Sequence, residues 1–162
     1  MTISVGETLP DATLLIFGAN GPEPVRMADK VKGRKVVIFG LPGAFTRTCS
    51  AAHVPSFMRT KGDFDAKGVE EIICVSVNDP FVMAAWGKDT GATEAGITML
   101  GDAGAEFTKA IGMNWTAEGA GFYDRSRRYA LYAEDGVVKV LHVEEGPGVC
   151  ETSGGEALLA AI

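Results

Sequence analysis

A chain of 162 residues, 46% hydrophobic and 22% charged, has enough apolar material for one domain with its own core, and residues 1–162 are expected to form a single domain. A formal net charge of −6 and a longest basic run of "RSRR" (Arg125–Arg128) exclude sustained binding to a nucleic-acid backbone. No stretch approaches the ~18 apolar residues of a membrane helix, and "MTISVGETLPD" lacks the basic and apolar regions of a signal peptide, so no membrane partner and a cytoplasmic location are expected.

The opening "TISVGETLPDATLLIFGANGPEPVRM" alternates short β-like runs with Gly/Pro turns. "KVVIFG" (Lys35–Gly40) reads as a buried strand. After the Pro42-Gly43 break, "TCSAAHVPSFMRTKGDFDAKG" reads as a helix of at most about five turns ended by Gly68, with a kink or break at Pro55. "EEIICVSV" is a second buried strand, and "NDP" (Asn78–Pro80) opens the helix "FVMAAWGKD". "ITMLGD" is a third strand and "AEFTKAIG" a short helix. Asp135-Gly136 marks a hairpin inside "RYALYAEDGVVKVLHVEE", and "GEALLAAI" closes the chain as a helix. This order predicts an α/β fold, a central mixed β-sheet with helices on both faces in the thioredoxin-like layout.

The three cysteines, at 49, 74 and 150, are too few for a disulfide scaffold and form no C-x-x-C pair. Cys74, inside "IICVSV", reads as an inert core residue. Cys49 differs. It follows a strand-to-helix break and has Thr46, Arg47, Thr48 and Ser50 as neighbours. The first turn of a helix presents unpaired amides and the positive end of the dipole, which favours thiolate over thiol. Thr46 lies three residues earlier, on the same helical face.

"PGAFTRTCS" resembles the peroxidatic signature P-x-x-x-T-x-x-C of peroxiredoxins, and "FGLPGAFT…CSAAHVPSF" resembles the type-5 (type-II) group in particular. The resemblance continues through "VSVNDPFVMAAWGKD", "LGDAGAEFTKAIGM" and "RRYALYAEDGVVKVLHVEEG". It implies a thioredoxin-like fold and a thiol-dependent peroxidase acting on hydrogen peroxide and alkyl hydroperoxides. It implies Cys49 as the peroxidatic nucleophile, Thr46 as a hydrogen-bond partner of thiolate and peroxide, and Pro42 as a shield. Arg128 falls at the position of the family's active-site arginine. Gly43, with Thr46 and Arg128, would bind substrate, and the resemblance implies a homodimer with Phe45 and Phe81 near its contact. Cys150 lies in a loop where some members carry a resolving cysteine. Arg47 stands where the group has Pro.

Ionisation alone is a modest lever. A free thiol is about 3% thiolate at pH 7, so full ionisation gains at most ~30-fold, and the accompanying loss of nucleophilicity returns roughly tenfold of it. The rest must come from donors aimed at the leaving oxygen, for which the forked, charged Arg128 suits. No cofactor or metal motif is present, and none is needed. The sulfenic acid formed on Cys49 would be reduced by a thiol partner: glutathione, glutaredoxin or a thioredoxin-like donor. The alternatives are a redox-sensing or interaction protein without turnover, a metal site at Cys49 and His53, and a cysteine hydrolase using the same pair.

Overall fold

The computed structural model describes residues 1–162. Its spine is two parallel strands, β3 (Lys35–Leu41) and β4 (Glu71–Ser76), joined through helix α2 (Val54–Ala66). Strands β1 (Thr13–Gly18), β2 (Gly21–Arg26), β5 (Thr98–Gly101), β8 (Tyr129–Glu134) and β9 (Val137–Val143) complete a seven-stranded mixed sheet in the order β2-β1-β5-β4-β3-β8-β9. β6 (Asn114–Ala117) and β7 (Phe122–Ser126) form a separate two-stranded ribbon. This is the thioredoxin-like α/β layout, with helices on both faces.

Side chains alternate across a strand, so β3 feeds two cores at once. Val36 and Ile38 join Ile73, Val75, Leu100, Phe107 and Leu131 on one face, beneath α1 (Met27–Val31) and α4 (Glu106–Ala110). Val37, Phe39 and Leu41 join Ile72, Phe57, Phe64 and Trp86 on the other, beneath α2, α3 (Pro80–Thr90) and α5 (Gly155–Ala161). Phe57 stacks on Phe39 at 4.2 Å and fixes α2 against β3. Burying such a side chain stabilises the fold by about 1.5–3 kcal/mol. The Cys49 end of the helix is therefore rigidly placed over the C-terminal edge of β3.

The β8–β9 hairpin turns through Asp135 (φ 49°) and Gly136 (φ 76°), two positive-φ residues as a type I′ turn requires. Asp79 caps α3, accepting from the Val82 amide at 2.9 Å. Pro55 does not break the helix. It sits at the second residue of α2, and the five residues ahead of that helix, Cys49–His53, are wound as a π-helical turn in which the Val54 amide bonds to the Cys49 carbonyl. A proline cannot donate to the carbonyl four residues back and its ring crowds that oxygen, so a widened turn ahead of it relieves both problems. The short helix α1 and the β6–β7 ribbon are additions to the elements expected from sequence.

Candidate active site

The C-terminal edge of β3 leads through Pro42–Thr46 into the helix, whose first turn begins at Arg47. The Thr46 carbonyl accepts from the Ser50 amide at 3.0 Å, which makes Thr46 the flanking residue and Cys49 a first-turn residue. Arg47 occupies the first helical position, where proline is equally suited, so an arginine there costs the loop nothing in conformation. Phe45 takes a left-handed φ of 63°. That conformation is disfavoured for a bulky side chain and turns the chain sharply ahead of Thr46.

Cys49 is fully buried, and its Sγ accepts a hydrogen bond from Arg128 Nη2 at 3.3 Å. Arg128 immediately precedes β8, which runs antiparallel to β3 with Tyr129 opposite Gly40. A Cβ on Gly40 would collide with the Tyr129 ring, so the glycine lets the strands approach closely beside the cysteine. Arg128 is only 2% exposed, yet none of the chain's ion pairs includes it. Its acceptors are Cys49 Sγ, the Pro147 carbonyl at 2.8 Å and His53 Nδ1 at 3.0 Å. Its Nε–H has no protein partner. A buried guanidinium needs a counter-charge. Of the three atoms it touches, the sulfur is the one that can carry it.

His53 is buried against the stacked pair Phe39 and Phe57, with ring centroids at 5.0 and 5.7 Å. Its Nε2 meets the Ser153 carbonyl at 3.0 Å while Nδ1 receives the Arg128 donor. Those partners assign the proton to Nε2. Burial, and then the charge of Arg128, push its pKa down to about 3, so the ring is neutral. Both nitrogens are committed elsewhere, which leaves none to serve as a base for Cys49 and removes the hydrolase pairing. No group of three His, Cys, Asp or Glu side chains is arranged to hold a metal ion.

An open cleft of about 210 Å³ leads to this point, lined by Pro42, Thr46, Arg47, Thr48, Phe122 and Arg128 and edged by Pro147 and Gly148. The Thr46 hydroxyl donates to the Gly43 carbonyl at 2.7 Å rather than to Cys49 Sγ, so its lone pairs are free for an incoming O–H. Gly43 does not line the cleft. Its lack of a side chain makes room for Arg125, whose Nη1 donates to the Pro42 carbonyl at 3.1 Å. Arg125 also lies 5.4 Å from the Phe122 ring centroid.

The other cysteines behave differently. Burial pushes the Cys74 thiol well above its ordinary range, with the neighbouring Cys49 adding to the effect. Cys150 is half-buried in the loop after β9, and its thiol is raised, again chiefly by burial. All three cysteines are free thiols.

Residues 4–159 match the family model described as Redoxin. The chain is 50% identical over 165 residues to the chloroplastic peroxiredoxin-2E-2 of Oryza sativa subsp. japonica, an alignment covering 99% of this chain and 73% of that protein. Reduced Prx3 in complex with H2O2 from Vibrio vulnificus superposes with a TM-score of 0.92 at 44% identity, covering 99% of both chains. Peroxiredoxin 5 from Alvinella pompejana gives 0.84 at 33% identity, covering 98% of this chain and 97% of that one. The chain belongs to the redoxin family and, within it, to the type-5 (type-II) peroxiredoxins. It is an oxidoreductase that reduces peroxides and is itself reduced by thiol donors. No helix is long and apolar enough to cross a membrane.

Proposed function

We propose that Cys49 is the peroxidatic nucleophile of a one-cysteine peroxidase acting on hydrogen peroxide and small alkyl hydroperoxides, within one domain spanning residues 1–162. The observation that carries this reading is the Arg128–Cys49 contact at 3.3 Å, a buried guanidinium with no carboxylate partner. The Cys49 thiolate attacks the terminal oxygen of ROOH. An S–O bond forms, the O–O bond breaks, the electron pair leaves on RO⁻, and Cys49 becomes a sulfenic acid. Arg128 faces the charge that grows on the leaving oxygen, with its unpartnered Nε–H as a spare donor. Thr46 accepts the peroxide O–H, and Pro42 covers the sulfur from water. A thiol R′SH then condenses with the sulfenic acid, releasing water and leaving a mixed disulfide. A second R′SH restores Cys49 and leaves R′SSR′. Glutathione, alone or through a glutaredoxin, is the proposed donor. A thioredoxin-like protein is the alternative.

Two facts favour one-cysteine chemistry. Cys74 is sealed inside β4, and Cys150 sits in a loop whose backbone is bonded to Glu144, His53 and Arg128. A disulfide requires Cα atoms within ~7 Å and a loop free to bring them there. Mixing reduced protein with one equivalent of hydrogen peroxide should consume one thiol, and Cys150→Ser should keep most glutathione-supported turnover. Cys49→Ser should consume no peroxide while remaining folded. Loss of two thiols per peroxide, with a Cys49–Cys150 bond in the mass spectrum, would replace this reading by a two-cysteine one.

We further propose a homodimer. Phe45 and Phe81 are 55% and 59% exposed, and Phe81 lies 5.1 Å from the half-exposed Phe17. Exposed large apolar side chains, here the Phe17–Phe81 pair and Phe45 in the active-site turn, mark an interface. Sedimentation should give twice the chain mass, and Phe81→Asp should halve it. A cytoplasmic location completes the proposal and rests on the three free thiols, which suit a reducing compartment. Cell fractionation tests it against the organellar setting that the rice relative's name carries.

A further inference from the structure

The loop from Glu145 to Gly154 contains no helix or strand, and much of it is exposed. Such segments are the softest parts of a fold. Yet two of its carbonyls hold the active site. Pro147 O accepts from Arg128 Nη2, and Ser153 O faces His53 Nε2. A guanidinium held by a soft loop would wander, so something must stiffen the loop.

Glu144, the residue before the loop, is 5% exposed, and both of its carboxylate oxygens are spent on the loop's far end. Oε2 accepts from the Glu151 amide at 2.7 Å, the Ser153 amide at 2.7 Å and the Ser153 hydroxyl at 2.6 Å. Oε1 accepts from the Thr152 hydroxyl at 3.2 Å. The backbone amide of Glu144 donates to the Arg128 carbonyl at 2.9 Å. One anion thus ties the backbone of Arg128 to Ser153. The amide and hydroxyl of Ser153 are held by Glu144, while its carbonyl orients His53. The other loop anchors are weaker or peripheral: Thr48 Oγ1 to Gly148 O at 3.4 Å, and His142 Nδ1 to Thr152 O at 2.7 Å.

We propose that Glu144 is a positioning residue for peroxide reduction. It latches the 145–154 loop so that Pro147 O and the Ser153–His53 pair hold the plane of the Arg128 guanidinium against Cys49 Sγ. Glu144 makes no ion pair with Arg128, and no peroxide-facing role is assigned to it. It acts through the loop. The inference rests on the role proposed above for Arg128, because a latch on an idle arginine would have no catalytic effect.

The test is a double-mutant cycle with Glu144→Ala and Arg128→Met. Three quantities are measured for each protein: the pH-independent rate constant of the Cys49 thiolate with hydrogen peroxide, the same constant with iodoacetamide, and the melting temperature. Arg128→Met should lose about 100-fold or more against peroxide. Glu144→Ala should lose about tenfold against peroxide, because displaced donors weaken the transition state. Its alkylation plateau should change far less, since iodoacetamide needs no O–O stabilisation. The double variant should match Arg128→Met alone, because the two residues act as one unit. A wild-type peroxide rate in Glu144→Ala, or losses that multiply in the double variant, would overturn the inference and leave Arg128 untouched. An equal fall in peroxide and iodoacetamide rates would also overturn it, as a general collapse of the site. A normal peroxide rate in Arg128→Met alone would sink the Arg128 reading, and the latch with it. Should Glu144→Ala not fold, Glu144→Gln takes its place in the cycle, losing the charge but keeping the shape.

Discussion

The two ends of the parallel strands each bury charge, and they treat it in opposite ways. At the N-terminal end of β4, Glu71 has a side chain only 11% exposed and is fully answered. Lys30 Nζ and Arg34 Nη1 reach it at 3.0 and 2.8 Å, and the Thr98 hydroxyl donates to it at 2.5 Å. Burial alone would raise its pKa, but those three donors outweigh burial and hold it below the ordinary carboxylate value. At the C-terminal end of β3, Arg128 is buried against neutral acceptors and a sulfur, with one N–H left over. The first cluster is closed and has no capacity for a ligand. The second is an unfinished coordination shell, which a peroxide and its leaving oxygen complete. Burying charge does not by itself mark a functional site; the unspent donor does. In open α/β sheets it is also the carboxyl ends of the strands that carry ligands.

The contrast predicts opposite phenotypes. The largest effect is on activity at the Arg128 end. Arg128→Met should lower the peroxide rate constant about 100–1000-fold. Its stability should change little, because an apolar isostere in place of a buried charge is often neutral. Urea denaturation and stopped-flow on the same preparation check this. A loss of rate explained entirely by unfolded protein would make Arg128 a structural residue like Glu71. The next effect is on stability at the other end. Glu71→Ala should cost about 1–3 kcal/mol, since it strands two cations that are partly able to rehydrate. The peroxide rate constant of its folded fraction should stay near that of the wild type. A catalytic defect at full folding would erase the distinction between the two ends.

Only the Arg128 end of this contrast is legible in the sequence; nothing there sets Glu71 apart. Thr46 and Cys49 announce themselves through spacing at a strand-to-helix break, and the Asp135-Gly136 hairpin and the Pro80 helix start follow from local backbone chemistry. What was hidden is non-local. His53 and Arg128 are 75 residues apart, and His53 and Ser153 are 100 apart. From sequence, His53 is an ordinary helix histidine, a metal ligand with Cys49 or half of a hydrolase pair. Only the fold turns it into the neutral spacer between loop and arginine. Arg125 and Glu144 carried no motif, and a pattern of charge in "EEGPGVCETS" gives no sign that one glutamate faces inward. The π-helical turn was half legible: Pro55 signalled a disturbance, but not that the helix would widen ahead of it. The Thr46 hydroxyl proton is a further hidden detail: it is spent on the Gly43 carbonyl at 2.7 Å, which the T-x-x-C spacing does not announce.

The smallest effect comes from His53, and its sign follows from linkage. The ring is neutral in the folded protein, with a pKa of about 3 against an ordinary 6.5. Between these two values the unfolded chain binds a proton that the folded chain refuses, so stability falls as pH drops through that window and is constant above it. The limiting slope is about 1.4 kcal/mol per pH unit. Carboxylates with depressed pKa, Glu71 and Glu144 among them, add their own losses only as pH falls below their ordinary value near 4.5. The interval from pH 6.5 to 5 therefore separates the His53 contribution from those carboxylates, and that contribution should lower wild-type stability there by about 1.5–2 kcal/mol. His53→Gln can keep both contacts, its amide oxygen accepting from Arg128 and its N–H donating to Ser153 O, but it cannot titrate. Urea titrations at pH 7, 6 and 5 should give a flat line for His53→Gln beside a falling one for the wild type. Parallel slopes would show that the acid sensitivity lies elsewhere. They would also remove the argument that a neutral ring, rather than a second cation, is what Arg128 leans on.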